Sequence, residues 1–260
     1  MPSLSHISDY SPFLESDRTF DYSGVASGAS QTGVVRPDIV SNHIAMRLAL
    51  FNTHLPATYM PATSPNNSGA IKYIYLVRNA FDVCHSFYNH LSHQSVSDGG
   101  FVGSESDFIE LWSLGKIAFG PWGSHLRMWG DPSRPIPLSP LVLRYEDLKA
   151  DLLSGVVQIY DHLWGAGHPA GLSREEVEAL LPALEVGEMR ENNKLFAPKS
   201  VEWSDRHNNT QQQDGYTFIN KGEIGAGRKT LDEETRPMFK TGFELFPPPE
   251  AFNDLMNEKL

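Results

Sequence analysis

The alternation of apolar and polar positions predicts two strand–helix units in this chain. The run Ile71–Val77 (IKYIYLV) has the length and composition of a strand covered on both faces. It ends at Arg78, and apolar residues then recur at helical spacing over 80–93. Residues Leu138–Tyr145 predict a second buried strand, and Glu146–Trp164 the helix after it. Strands that alternate with helices favour an α/β fold with a central parallel sheet and helices on both faces.

Weaker patterns predict the remaining elements. Apolar residues in Ile39–Phe51 fit both helical and strand spacing, which we interpret as a helix running into a strand. Helices are predicted over Asp107–Ile117 and Pro121–Trp129. The capping-box pattern at Ser173-x-x-Glu176 predicts the start of another helix.

We predict a single domain over residues 1–260. Its first part, 1–38, is rich in Ser, Asp and Gly and is expected to be a loosely ordered lead-in. The polar, irregular segment 198–217 is predicted to form a lid loop. The N-terminus has no signal-peptide pattern, and no apolar run reaches the roughly 18 residues of a membrane span, so a cytoplasmic location is expected.

The composition limits the classes of molecule that this chain is expected to bind. The 260 residues carry 21 Lys and Arg against 32 Asp and Glu, a net charge of −11. This balance argues against non-specific binding to nucleic acid or to an anionic membrane, but leaves room for a local basic pocket. One cysteine, Cys84, excludes an intramolecular disulfide and any site that needs two Cys ligands from one chain.

Arg78 stands where a parallel strand ends and a helix begins. Ser86 lies in the second turn of that helix. A guanidinium fork, a hydroxyl and the free amides of a helix N-terminus together favour an anion. Ligands of α/β proteins bind at the carboxyl ends of such strands. Taken alone, an arginine after a strand is more often a surface ion-pair partner.

The wider sequence around Arg78 resembles a known family. Residues 72–91 (KYIYLVRNAFDVCHSFYNHL) are similar to the segment with which cytosolic sulfotransferases hold the 3′-phosphate of their sulfuryl donor, 3′-phosphoadenosine 5′-phosphosulfate (PAPS). Four further segments resemble the family in the same order: FNTHLP (51–56), FGPWGSHLRMW (119–129), LVLRYEDL (141–148) and FINKGEIG (218–225). The chain is therefore identified as a member of the cytosolic, PAPS-dependent sulfotransferases, which implies their three-layer, P-loop-like fold.

The resemblance also implies the roles of single residues. The phosphate and adenine contacts of PAPS fall on Arg78, Ser86, Tyr145, Met189, Asn220, Lys221 and Gly222. His54 is implied as the general base that takes the proton from a hydroxyl or amine of a small acceptor, with Asn52 and Thr53 beside that acceptor. Sulfuryl transfer depends on in-line positioning and charge stabilisation, so no metal is expected.

Several family features have no match here. The family's first strand and phosphate loop, K-S-G-T-T-W, are missing, and Ser11–Glu15 resembles sequence downstream of them, so the chain looks as though it starts late. Asn52 and Asn220 replace a lysine and an arginine; Arg228 is a candidate substitute for the latter. We therefore expect impaired transfer, with a non-catalytic binding protein or truncated fragment as the alternative. The family's dimer signature has no match either, which leaves the oligomeric state open.

Other conspicuous residues favour packing roles. The histidines of 85–93 lack acidic or Cys partners at metal-ligand spacing. His125 is interpreted as a helix-packing residue rather than a catalytic one. The Walker-like segment 222–230 lacks a preceding strand. Three aromatic residues have two alternative roles: they line an acceptor pocket, or they pack in the core. They are Phe101, Phe108 and Trp112.

Overall fold

The structure, a computed structural model, describes residues 6–15, 20–21, 34–61, 71–130, 139–165, 173–198, 201–203 and 216–257. The strands described are β1 (Phe20–Asp21), β2 (Val34–Val35), β3 (Ile74–Val77) and β4 (Leu141–Arg144). The helices described are α1 (Pro37–Met46), α2 (Ala80–Ser92), α3 (Glu105–Ser113), α4 (Trp122–Gly130), α5 (Tyr145–Ala150), α6 (Leu152–Trp164), α7 (Arg174–Leu184), α8 (Val186–Glu191) and α9 (Thr235–Leu245).

The predicted α/β fold with a parallel sheet is confirmed. β3 and β4 pair in parallel, with Ile74 opposite Leu141 and Val77 opposite Arg144. Helices flank this pair: α4 packs against β3, and α6 packs against β4. Val77 lies in a cluster with Leu126 of α4. Each strand runs straight into a helix, so both strand ends open toward the same edge of the sheet.

One face of β3 is less covered than predicted. Tyr75 and Val77 point into the protein, whereas Ile74 and Leu76 on the opposite face are 40% and 52% exposed. Side chains alternate between the two faces of a strand, so the exposed pair shares one face. The prediction of a strand covered on both faces is therefore wrong for this face among the described residues.

Two predicted element boundaries are also wrong. α1 ends at Met46, and no strand follows within 47–51, because Arg47 adopts a left-handed conformation (φ 56°) that turns the chain. Residues 146–164 form two helices instead of one. Asp151 interrupts them, and its carboxylate accepts the backbone N–H of Ser154 at 2.9 Å as the cap of α6. The capping box predicted at Ser173 is confirmed at the start of α7.

The main core lies between α2, α3 and α9. Its buried members are Ala80, Phe81, Cys84, Phe108, Ile109, Trp112 and Phe239. Phe101 packs against the same cluster, so all three candidate pocket aromatics pack in the core. Burial, reinforced by the charge of Glu105, raises the pKa of the Cys84 thiol well above its ordinary value. This thiol therefore behaves as a small apolar side chain.

The described part of the lead-in is packed rather than loose. His6 is buried and its Nε2 lies 2.8 Å from the carbonyl oxygen of Ala197. The Asn42 amide donates to the carbonyl of Asp9 at 2.7 Å, and His43 Nε2 lies 2.8 Å from the carbonyl of Tyr10. These contacts attach residues 6–10 to α1 and to the chain after α8. The rest of the lead-in up to residue 33, apart from 11–15 and 20–21, lies outside the described residues.

The two described ends of the predicted lid loop lie side by side. The rings of Trp203 and Tyr216 stack with centroids 4.7 Å apart. Tyr216 also stacks on His93, and Trp203 meets His90 edge-on, both at the end of α2. Residues 204–215, between these ends, lie outside the described residues, so the lid remains a prediction. Within the described ranges, no helix has both the length and the apolar content that crossing a membrane requires.

Candidate functional site

The turn between β3 and α2 is held rigidly around Arg78. Asn79 is fully buried and caps α2: its side-chain oxygen accepts the N–H of Phe81 at 3.1 Å. Its amide nitrogen donates to the carbonyl of Leu255 at 2.7 Å. Its own backbone N–H donates to the carboxylate of Glu146 at 3.1 Å. The backbone that carries Arg78 is thus fixed by three separate parts of the chain.

The Arg78 side chain spans three neighbouring groups. Its Nη2 donates to the carbonyl of Glu223 at 2.6 Å and lies 3.4 Å from the carboxylate of Asp82. The guanidinium carbon lies 4.4 Å from the ring centre of Tyr145, a cation–π contact. The buried Nε has no hydrogen-bond partner among the described residues. Because a buried donor without a partner is costly, Arg78 has capacity for an additional acceptor.

Asp82 of α2 binds the backbone of the loop that follows Phe218, at residues 225 and 227. Its buried carboxylate accepts the backbone N–H of Gly225 at 2.8 Å and that of Gly227 at 2.9 Å. Sequence reasoning missed Asp82. Its spacing of four residues from Arg78, in the first turn of the helix that follows, was the available signal.

Ser86 lies in the middle of a helix face that runs along this loop. Asp82, Ser86 and His90 are four residues apart on α2, so their side chains share one face. Asp82 holds residues 225–227 at one end, and His90 contacts the rings within 216–218 at the other. Ser86 is exposed, and its contact with a phosphate remains a prediction.

Gly222 is the point at which this loop contacts Tyr145. Its φ of 64° is a left-handed conformation that favours glycine. The Tyr145 hydroxyl donates to the Gly222 carbonyl at 3.2 Å, and a Cβ at Gly222 would lie 3.0 Å from that hydroxyl. Asn220 and Lys221 are exposed, and the Lys221 N–H donates to the Asn220 side chain at 2.8 Å. Arg78, Tyr145 and the loop 220–222 thus meet in one place.

Met189 belongs to α8, the helix next to Gly222. Val186 of α8 would contact a Cβ on Gly222 at 3.0 Å. Met189 follows Val186 by one helical turn and is half-buried. The structure therefore places the helix of Met189, like Tyr145, next to the Gly222 loop.

Arg228 adds a further guanidinium beside Gly225. A Cβ at Gly225 would lie 3.8 Å from Nη1 of Arg228. Two of its other nitrogens, Nε and Nη2, are buried and have no partner among the described residues. Its contribution in place of Asn220 remains a prediction.

His54 is held between two aromatic rings and a carboxylate. Its ring stacks on Phe13 (centroids 5.2 Å, 11°) and on Phe119 (5.1 Å, 27°). Its Nδ1 and its backbone N–H both lie 2.8 Å from Oε1 of Glu15. The side chain is still 57% exposed. Sequence reasoning missed Glu15, which lies 39 residues before its partner.

The backbone after His54 is held by α4. Nε2 of His125 lies 3.1 Å from the carbonyl oxygen of His54, and Nδ1 of the same ring lies 2.9 Å from the hydroxyl oxygen of Tyr75. Trp129, one turn further, donates its indole N–H to the carbonyl of Leu55 at 3.1 Å. Burial is the main cause that lowers the pKa of His125, so the neutral ring donates from Nε2 and accepts at Nδ1. His125 therefore positions the His54 backbone as well as packing.

Asn52 and Thr53 make local contacts. The Asn52 amide donates to the carbonyl of Ser11 at 3.0 Å. The Thr53 hydroxyl oxygen accepts the N–H of Leu55 at 3.0 Å. These bonds shape the turn that carries His54; contact with an acceptor remains a prediction for both residues.

The residues around Arg78 and the residues around His54 lie next to each other along α2. Phe119, which stacks on His54, also stacks on Phe87 at 6.2 Å, the residue after Ser86. Phe87 belongs to α2, so His54 lies close to the helix that carries Ser86 and His90. Burial is the main cause that lowers the pKa of His90 to about 4. No cluster of three or more His, Cys, Asp or Glu side chains suited to a metal occurs among the described residues.

Gly227→Ala is expected to lower the free energy of unfolding by about 1–3 kcal/mol. A Cβ at this buried position would lie 2.1 Å from the carbonyl oxygen of Phe81, so the loop and α2 must separate. Urea unfolding measures the change. Gly187→Ala is the matched control, because a Cβ there meets no atom within 4 Å. Equal stability of the two variants contradicts the tight docking of loop and helix.

Comparisons with known proteins agree with this geometry. The profile of the sulfotransferase domain matches residues 2–257. The chain therefore belongs to the sulfotransferase family, as its sequence motifs predicted.

Alignments with individual relatives include a larger share of this chain than of the relative. It is 28% identical to sulfotransferase 1A1 of Mus musculus over 185 residues, 70% of this chain and 57% of that protein. It is 30% identical to the amine sulfotransferase of Oryctolagus cuniculus over 202 residues, 75% and 60% of the two chains. The chain thus spans less than two thirds of the length of these curated relatives.

A solved structure shares the fold. Mouse sulfotransferase SULT7A1, complexed with PAP, superposes with a TM-score of 0.60 over 85% of this chain and 75% of that one. At 19% identity, this likeness concerns the fold alone.

Proposed function

We propose that this chain binds PAPS and transfers its sulfuryl group to a hydroxyl or amine of a small organic acceptor. The observation that carries the proposal is the meeting of Arg78, Tyr145 and Gly222 at the carboxyl end of β3. A cation with a spare buried donor, an aromatic ring and a glycine loop suit a phosphorylated adenosine. Family membership supports the same donor, and the SULT7A1 structure contains PAP.

The residues present fit the 3′-phosphate of such a donor. The Nε of Arg78 has no partner among the described residues, and Ser86 offers an exposed hydroxyl one helical turn after Asp82. Lys221 adds an exposed cation. In our proposal these three groups hold the phosphate, while Tyr145 and the helix of Met189 border the adenine.

His54 supplies the proton transfer in this proposal. PAPS, when bound, would contribute the sulfuryl group, and 3′,5′-adenosine bisphosphate would leave with the electrons of the broken S–O bond. The Nε2 atom of His54, on the ring edge away from Glu15, takes the proton from the acceptor hydroxyl or amine. Phe13 and Phe119 hold the ring plane while this happens.

We propose further that transfer is slow. Asn52 and Asn220 stand where the resembling motifs carry cations, and each charge-assisted hydrogen bond contributes roughly 1.5–3 kcal/mol. The alternative, a non-catalytic binding protein, is favoured by the same two substitutions. Binding and transfer must therefore be measured separately.

Calorimetric titration with 3′,5′-adenosine bisphosphate is expected to show one site on the purified chain. Asn220→Arg is expected to tighten that site about tenfold, because one charge-assisted bond is gained at about 1.4 kcal/mol per decade. Transfer from radiolabelled PAPS to a panel of phenols and amines tests the chemistry.

The outcomes separate the two functions. Binding with slow transfer supports the proposal, and binding without transfer supports the alternative. Absence of both heat and thermal stabilisation contradicts each of them.

A further inference from the structure

A short extended segment brings two side chains to the imidazole ring of His54. The backbone of residues 12–14 pairs with Asn52: the Asn52 N–H donates to the carbonyl of Pro12 at 2.8 Å, and the Leu14 N–H donates to the carbonyl of Asn52 at 2.9 Å. Residues two apart on an extended segment point the same way. Phe13 and Glu15 consequently both reach the imidazole, one through its face and one at Nδ1.

The contact with Glu15 fixes which ring nitrogen carries hydrogen. An ionised carboxylate oxygen only accepts, so Nδ1 of His54 must donate across the 2.8 Å contact. In the neutral ring, Nε2 is then the atom with the free lone pair. The same oxygen also accepts the His54 backbone N–H, which fixes the carboxylate relative to the ring.

Glu15 places a carboxylate against this ring. Its side chain is 21% exposed. Burial raises its pKa, but the hydrogen bonds from the side chain and backbone of His54 outweigh that effect and hold the pKa below its ordinary value. His125, which contacts the His54 carbonyl from α4, and His90 of α2 have pKa values lowered mainly by burial and are neutral at pH 7.

We propose that Glu15 is a positioning residue: its contacts with Nδ1 and the backbone of His54 hold the imidazole in the Nδ1–H form, with Nε2 as the base. Glu15 keeps its own charge throughout, and the acceptor's proton stays on Nε2. The inference rests on the proposed function for its catalytic meaning. The state of the ring itself can be measured without any activity.

Nitrogen-15 NMR of the His54 ring tests the proposal directly. The full chain is expected to show mainly the Nδ1–H form when neutral. Glu15→Ala removes the acceptor, so the Nε2–H form is expected to become the major one. Glu15→Gln retains an acceptor oxygen, so the Nδ1–H form is expected to persist. A tautomer unchanged in Glu15→Ala overturns the proposal.

The rate of transfer gives a second readout. Glu15→Ala is expected to lower the single-turnover rate more than Glu15→Gln, because only the glutamine retains an oxygen that can accept from Nδ1 of His54. Equal losses in the two variants contradict the positioning role. The matched control is Glu105→Gln, because Glu105 makes the same contact with Nδ1 of a different histidine, His85, at 2.7 Å. This control is expected to leave the His54 tautomer and the transfer rate unchanged.

The two hypotheses fail in different ways. If the parent chain transfers no sulfate, the proposed function fails, and the NMR result still decides the role of Glu15. If Glu15→Ala loses its folded spectrum, Glu15→Gln carries the test, since a shift of its His54 to the Nε2–H form contradicts the retained acceptor contact.

Discussion

Replacing Arg78 by alanine is expected to weaken the binding of 3′,5′-adenosine bisphosphate by about 100-fold or more. The side chain offers a guanidinium at the carboxyl end of β3 with a buried Nε that has no partner among the described residues. Loss of two charge-assisted bonds, at roughly 1.5–3 kcal/mol each, corresponds to at least two decades in affinity. Calorimetry of the parent and the variant measures the difference.

Arg144→Ala is the matched control for this prediction. Arg144 also ends a parallel strand and lies over an aromatic ring, but its guanidinium pairs with Asp254 and the carbonyl of Ala251. Its removal is expected to lower stability without changing nucleotide affinity. If Arg78→Ala binds as tightly as Arg144→Ala, the anion is held elsewhere.

His54→Ala is expected to lower the rate of sulfuryl transfer by about 10²–10⁴-fold, the usual contribution of a general base. Binding of 3′,5′-adenosine bisphosphate is expected to persist, because the Arg78 contacts run to Glu223, Asp82 and Tyr145 and not to His54. Single-turnover assays with saturating PAPS measure the loss.

His85→Ala separates this effect from the general loss of a histidine. His85 also contacts a carboxylate through Nδ1, that of Glu105, so both variants remove a similar pair. The control is expected to retain the parent rate. Equal transfer rates in His54→Ala and in the parent chain contradict the role of His54 as the general base.

Local pattern was sufficient to predict the elements around Arg78. The run Ile71–Val77, its end at Arg78 and the helical spacing over 80–93 all lie within about twenty residues. The capping box at Ser173 is similarly local. Such features depend on backbone preferences of neighbouring residues, which the sequence records directly.

Partners far apart in the chain could not be predicted in this way. Glu15 meets His54 only because residues 12–14 pair with Asn52, and Asp82 meets Gly225 across 143 residues. Neither pairing leaves a local pattern. The error at Phe51 has a related cause: its apolar neighbours suit a strand, but the turn at Arg47 and the bridge between Asn52 and Phe13 determine the path of the chain.

The bond between Asn79 and Leu255 bears on the order in which parts of the protein fold. It joins the turn that carries Arg78 to a residue 176 positions later. During synthesis, chains emerge and fold from the amino end. The turn that carries Arg78 therefore gains this support only after a further 176 residues have been synthesised.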